Sequence, residues 1–213
     1  MIISFDLDGT LFDMDFENTL WFEEIPKLYS EVHGISLEEA KKKVLSAYNE
    51  IGDEDYRWYD PHYWIKRFEL GKPWHEIVKD LKHKVHMYPE AKKVLSELKK
   101  GNRLIVISNA TRDFINIKME VENLDQYFER IFSVTSDFGV VKKDTDIYKK
   151  VCKIMKIKPE ELVHVGDHYK FDYAMPRQLG VKAFFLDRKK ENKDQYIVHD
   201  LKEFKEKINQ ELS

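Results

Sequence analysis

A single cysteine, Cys152, is all that the 213-residue chain contains. No internal disulfide is therefore possible, and a reducing compartment is expected. No apolar run approaches the roughly 20 residues that a membrane span requires. The N-terminal stretch passes from Met1 through Ile2, Ile3, Ser4 and Phe5 to Asp6 without the basic segment or small-residue cleavage site of a secretory signal. A cytoplasmic protein with no membrane partner is the expectation. Charge of one sign is also missing: 36 Lys and Arg stand against 39 Asp and Glu, for a net charge of −3. That balance provides no basic field for nucleic acid, so nucleic acid is not an expected partner. Glycine (8) and proline (6) are scarce, and no Pro/Gly/Ser-rich linker, low-complexity tract or internal repeat is present. With 42% hydrophobic residues the chain can bury a core of ordinary size, as one domain or as a core domain with an insertion. Chemistry on a small molecule is the function class left standing. Monomer and homodimer are equally compatible with these features.

Short apolar segments recur between helical patterns. Ile2–Phe5, Arg103–Ile107, Arg130–Val134, Leu162–Val165 and Lys182–Leu186 each suit a buried strand. Strands alternating with helices predict an α/β core whose mostly parallel sheet carries helices on both faces. Helices are predicted over Glu90–Lys100, Asp144–Met155, Phe171–Leu179 and Leu201–Leu212, with Asp200 as a cap for the last. Between residues 15 and 88 convincing strands vanish and amphipathic helical segments take over. Ser36 with Glu39 forms a capping box, and Asp60-Pro61 and Lys72-Pro73 open further helices. This stretch is read as an inserted helical cap domain, 15–88, within a core domain made of 1–14 and 89–213. Its aromatic residues, Trp21, Phe22, Tyr56, Trp58, Tyr59, Tyr63, Trp64, Phe68 and Trp74 among them, are assigned mainly to the cap's own core.

The strongest chemical signal is Asp6-Leu7-Asp8-Gly9-Thr10, directly after the first strand. Strand alternation places Asp6 and Asp8 on one side, and Gly9 allows a tight turn. Two carboxylates so close require a cation or a shared proton, and Mg²⁺, a hard ion that takes a few carboxylates, waters and substrate phosphate, meets that requirement. A solvated Asp-Gly turn is the bland alternative. A calcium loop is excluded by Thr10 and Leu11, where an acid or amide and a glycine belong.

These residues resemble the first motif of the haloacid dehalogenase-like hydrolase superfamily, an apolar strand followed by Asp-x-Asp-x-Thr. Three further segments resemble its later motifs in the same order. They are Ser108-Asn109 after Val106-Ile107, Lys142 after Gly139-Val140-Val141, and Val165-Gly166-Asp167 with Asp172. The resemblance implies a Rossmann-like three-layer α/β/α core of strand order 3-2-1-4-5, with the helical insertion as the cap. It also implies a Mg²⁺-dependent phosphatase acting on a small phosphorylated metabolite. In that scheme Asp6 is the nucleophile and Asp8 the general acid and base. Lys142 neutralises the phosphoryl charge, while Thr10, Ser108 and Asn109 bind the substrate. Asp6, Asp8, Asp167 and Asp172 hold or support the metal. The family usually has proline after its lysine, and Lys143 occupies that place here, so either Lys142 or Lys143 fits the pattern. Haloacid dehalogenases generally lack an acid at the position of Asp8, because a departing halide needs no proton; Asp8 therefore points to phosphoryl transfer. A phosphomutase would use the same residues, and a non-catalytic phosphate-binding module is a further alternative.

Overall fold

The computed structural model describes residues 1–52, 55–141 and 143–211. The chain forms two compact units, one of residues 1–13 with 87–213 and the other of residues 14–86.

The larger unit is built on a six-stranded sheet: β1 (Ile2–Phe5), β2 (Arg103–Ser108), β3 (Arg130–Ser133), β4 (Leu162–Gly166), β5 (Lys182–Leu186) and β6 (Ile197–Val198). Its order is β3-β2-β1-β4-β5-β6 and all five pairings are parallel. The first five strands follow the expected order, and β6 is an addition. Two residues in a polar stretch carry no periodicity from which a strand can be read.

Every residue of β1 and β4 is buried, as strands covered on both faces by helices must be. On one face Ile2, Ile105, Ile107 and Phe132 pack with Ile147, Tyr148, Val151, Cys152 and Met155 of the helix Thr145–Met155. On the other, Phe5 meets Phe204 of the helix Leu201–Glu211 edge-on at 5.9 Å, and Phe184 meets the same ring at 5.2 Å. Asp144 caps its helix through Oδ1, which accepts the N–H groups of Asp146 and Ile147 at 3.0 Å each.

Two differences from expectation bear on the site. A helix over Arg112–Glu122, not read from the sequence, follows β2. The segment expected as a continuous helix from Phe171 to Leu179 is instead a π-helical stretch, Tyr169–Ala174, followed by a short α-helix, Met175–Arg177. Pro176 has no N–H to continue an α-helical ladder there.

The smaller unit is helical, with Ile25–His33, Leu37–Ile51, Pro61–Arg67 and Trp74–Lys79 among its segments. Ser36 caps the second, accepting the N–H of Glu39 at 3.2 Å. Trp64 and Phe68 stack at 5.2 Å, and Tyr48 meets Trp64 edge-on at 4.7 Å. Trp21, Trp64, Phe68 and Trp74 are buried, whereas Phe22 and Tyr56 are exposed. No helix among the described residues is long and apolar enough to cross a membrane.

Candidate active site

The parallel sheet brings the carboxyl ends of β1, β2 and β4 together at the point where the strand order reverses, the usual ligand crevice of an open α/β sheet. Asp6 follows β1 and remains tied to β4, its N–H donating to the Val165 carbonyl at 2.9 Å. The chain then turns sharply: the Leu7 carbonyl accepts the N–H groups of Thr10, Leu11 and Phe12, and Gly9 donates to the Phe12 carbonyl at 2.8 Å. Gly9 adopts φ +77°, and a Cβ there would lie 2.1 Å from the Asp167 carboxylate. Both facts reserve the position for glycine. Arg188 secures the turn from outside, donating to the carbonyls of Gly9 (3.2 Å) and Thr10 (2.7 Å) and to Glu90 (2.9 Å).

Lys143 lies at the centre of the cluster. It is 2% exposed, and its ammonium pairs with Asp6 and, at 2.5 Å, with Asp172, while also donating to the Ile107 carbonyl at 3.2 Å. Lys142, the lysine in register with the family's motif, lies outside the described residues. The local cause of the Lys143 placement is Asn109, whose Oδ1 accepts the Lys143 backbone N–H at 3.0 Å and pins that residue beside the end of β2. The Asn109 carbonyl in turn accepts the Thr135 hydroxyl. Asn109, expected to bind substrate, thus has its amide oxygen engaged by Lys143. Ser108 is buried and its Oγ accepts the Ala110 N–H at 3.1 Å. Thr10 is also buried, and its hydroxyl has no hydrogen-bond partner among the described residues.

Asp172 is fully enclosed. Its Oδ1 receives Lys143 and the His164 ring, and its Oδ2 accepts the His168 N–H at 3.0 Å. Gly166 makes this approach possible, because a Cβ there would lie 2.3 Å from the Asp172 carboxyl carbon. Carboxylate oxygens of Asp6, Asp167 and Asp172 all lie within 4.8 Å of one another, an arrangement that can hold a metal ion. Asp8 pairs with Lys118, a completely buried residue of the helix Arg112–Glu122. Lys118 was missed with its helix. Its signal is a charge on the face shared with Phe114 and Ile115, at i+4 and i+3.

The electrostatics follow from this crowding. Burial raises the Asp6 carboxyl well above its ordinary range; Lys143 opposes, and Asp172, Asp167 and Asp8 add to the rise. Asp167 keeps part of its side chain in solvent, yet its carboxyl is pushed up to about 7 by enclosure and then by the charge of Asp172, against the pull of Lys143. Burial would raise Asp172 too, but Lys143 and the His164 hydrogen bond outweigh it and hold Asp172 well below the usual carboxylate range. Burial alone would lower Lys143; Asp172 and Asp6 reverse this and keep it protonated.

The sequence matches the haloacid dehalogenase-like hydrolase family over residues 3–186. The chain belongs to this family. It is a hydrolase, of the type to which phosphatases and nucleotidases belong. Among curated relatives, a GMP/IMP nucleotidase of Escherichia coli is 25% identical over 163 residues, covering 76% of this chain and 72% of that protein. A glyceraldehyde 3-phosphate phosphatase of Pyrococcus furiosus is 26% identical over 230 residues, covering 99% and 93%. The crystal structure of a phosphatase of the family from Thermococcus onnurineus shares the fold, with a TM-score of 0.84 and 24% identity over 97% of each chain.

Proposed function

We propose that the protein is a Mg²⁺-dependent phosphatase that hydrolyses a small phosphate monoester through an aspartyl-phosphate on Asp6. The observation that carries this is the pairing of Asp6 with the buried Lys143, with Asp8 two residues on and Asp167 and Asp172 alongside. In the first half-reaction an Asp6 oxygen attacks phosphorus, the phosphorus–oxygen bond to the leaving group breaks, and Asp8 supplies the proton that the departing alkoxide needs. In the second, Asp8 takes a proton from water, which attacks the phosphorus and releases phosphate and Asp6. Lys143 neutralises charge on the equatorial oxygens, where positioning and electrostatics dominate catalysis. The hydroxyl of Thr10, buried with no hydrogen-bond partner among the described residues, and the Ser108 region are assigned to the phosphoryl group.

Asp6, Asp8, Asp167 and Asp172 face Lys118 and Lys143, so the fully ionised set carries a surplus of about two negative charges, which suits a divalent cation. Asp6 and Asp167 would hold Mg²⁺ with support from Asp8 and Asp172, and the ion would polarise the phosphoryl group and favour the ionised form of Asp6. The two phosphatase-type relatives act on a nucleotide and a triose phosphate, which supports a small phosphorylated metabolite as substrate. We further assign a cytoplasmic location to the protein. Asp6→Asn is expected to abolish Mg²⁺-dependent phosphate release from an aryl phosphate, measured against a circular-dichroism control for folding. Wild-type turnover in the variant would overturn the assignment of the nucleophile.

A further inference from the structure

A buried polar chain runs beneath the site and is not accounted for by the reaction. The parallel register of β1 and β4 sets Ser4 directly opposite His164. Both are completely buried among apolar strand residues. The Ser4 hydroxyl lies 2.7 Å from His164 Nδ1, and His164 Nε2 lies 3.1 Å from Asp172 Oδ1. Beyond Asp172 the chain continues through Lys143 to Asp6.

Resting on the phosphatase reading above, we propose that Ser4 and His164 are positioning residues, a hydroxyl–imidazole pair that orients Asp172 so that Asp172 presents Lys143 to Asp6.

The direction of each hydrogen bond follows by elimination. Ser4 has one hydroxyl proton and two acceptors in reach, Nδ1 at 2.7 Å and the Val163 carbonyl at 3.1 Å. If the proton went to the carbonyl, Nδ1 would have to donate to Ser4. A neutral ring would then turn a bare Nε2 toward the Asp172 carboxylate, lone pair against negative charge. An imidazolium would escape that clash, but it too would donate its Nε2–H to Asp172. In either state Nε2–H donates to Asp172, and with a neutral ring the Ser4 hydroxyl donates to a bare Nδ1. A neighbouring aromatic ring packs against the imidazole. Tyr148 presents its ring edge-on at 5.3 Å and uses its hydroxyl on the Phe171 carbonyl at 3.0 Å.

The purpose of the device is geometric. Asp172 has no room to move toward Gly166, and its Oδ2 is occupied by the His168 N–H. The His164 bond to Oδ1 removes the remaining freedom of the carboxylate, and with it the freedom of the ammonium that Asp172 shares with Asp6. Groups that fix a ligand's orientation in this way typically influence affinity or activity by about 10–100-fold.

The test has two arms. In the first, His164→Leu, which keeps the apolar bulk but has no donor, is compared with His164→Gln, whose amide N–H₂ can replace Nε2–H. With an aryl phosphate, His164→Leu is expected to lose about 10–100-fold in kcat with KM little changed, because the contact is needed in the transition state rather than for substrate binding. His164→Gln is expected to recover most of that loss. Equal losses in the two variants, or unaltered kcat in a folded His164→Leu protein, would overturn the proposal. In the second arm, ¹⁵N NMR of the His164 imidazole in the wild type and Ser4→Ala reads the tautomer directly. Wild type is expected to show protonated Nε2 and bare Nδ1, and Ser4→Ala a loss of that single-tautomer signature. A protonated Nδ1 in the wild type would refute the proposed direction. Because the second arm needs no turnover, a wild type that releases no phosphate would refute the phosphatase reading while the tautomer still decides the role of Ser4 and His164.

Discussion

Replacing Lys143 by methionine removes one ammonium and leaves a side chain of similar length among the same atoms. Lys143 is 2% exposed and serves two carboxylates, one of them, Asp172, itself 1% exposed. Two costs can be separated. Leaving buried charges unpaired typically destabilises a fold by about 3–5 kcal/mol. Against a usual total stability of about 5–15 kcal/mol, the variant is expected to remain folded at low temperature but with a lower urea midpoint. The second cost is kinetic. Loss of one preorganised donor to developing charge corresponds to about 2.7–4 kcal/mol, or a 10²–10³-fold fall in kcat. The stability cost should shrink when Mg²⁺ is added, because a cation among Asp6, Asp167 and Asp172 offsets part of the uncompensated charge. The kinetic cost should persist at saturating Mg²⁺ and substrate. Steady-state phosphate release and urea titrations, each with and without Mg²⁺, measure the two separately. A companion Lys142→Met variant is expected to keep kcat within a few-fold. A Lys143→Met enzyme within tenfold of wild type, or a larger loss in Lys142→Met, would refute the assignment of Lys143.

Asp8→Ala should slow esters of poor leaving groups far more than activated aryl esters, since only the former need a proton on departure; comparing kcat across leaving groups decides it, and equal losses would remove Asp8 from the acid role. Gly166→Ala places a methyl 2.3 Å from the Asp172 carboxyl carbon, so it should cost about 1–3 kcal/mol in thermal unfolding and at least tenfold in kcat. Wild-type values for both would show that Asp172 can yield without consequence. Burial, with a lesser contribution from Glu160, pushes the Cys152 thiol up to about 11. A raised folded-state pKa favours the protonated form, so its stabilising contribution is whole below the ordinary thiol pKa near ~8.5 and drains away as pH rises through about 11. The urea midpoint of wild type should therefore fall more steeply across that window than that of Cys152→Ala. Parallel slopes would contradict the shift.

The parts of this protein legible in its sequence are those where a residue's role depends on near neighbours. Ile2–Phe5 is a strand because four consecutive residues suit a slot buried on both faces, and Asp144, Ser36 and Asp60 mark helix starts because a cap bonds N–H groups two or three residues away. The Asp6-Leu7-Asp8-Gly9 turn is equally local, its hydrogen bonds closing within a few residues. Asp167 follows the same logic, lying just past a buried strand and a glycine.

Tertiary structure decided whatever depends on partners far apart in the chain. Lys142 and Lys143 are neighbours, and composition cannot rank them. The burial of Lys143 depends on Asn109, 34 residues away, capturing its backbone N–H, and on Asp6, 137 residues away, accepting its ammonium. Lys118 was concealed for a related reason: a charge inside an apolar helical face weakens the periodicity that reveals a helix, and its partner Asp8 is 110 residues distant. Ser4 and His164 sit as isolated polar residues in apolar strands until the β1–β4 register makes them neighbours. The sequence alone determined which carboxylates stand at the strand ends, because strand and turn are short-range choices. Only the packed fold could decide which lysine and histidine meet them, because an ion pair or buried hydrogen bond exists only where two distant segments are held within about 3 Å.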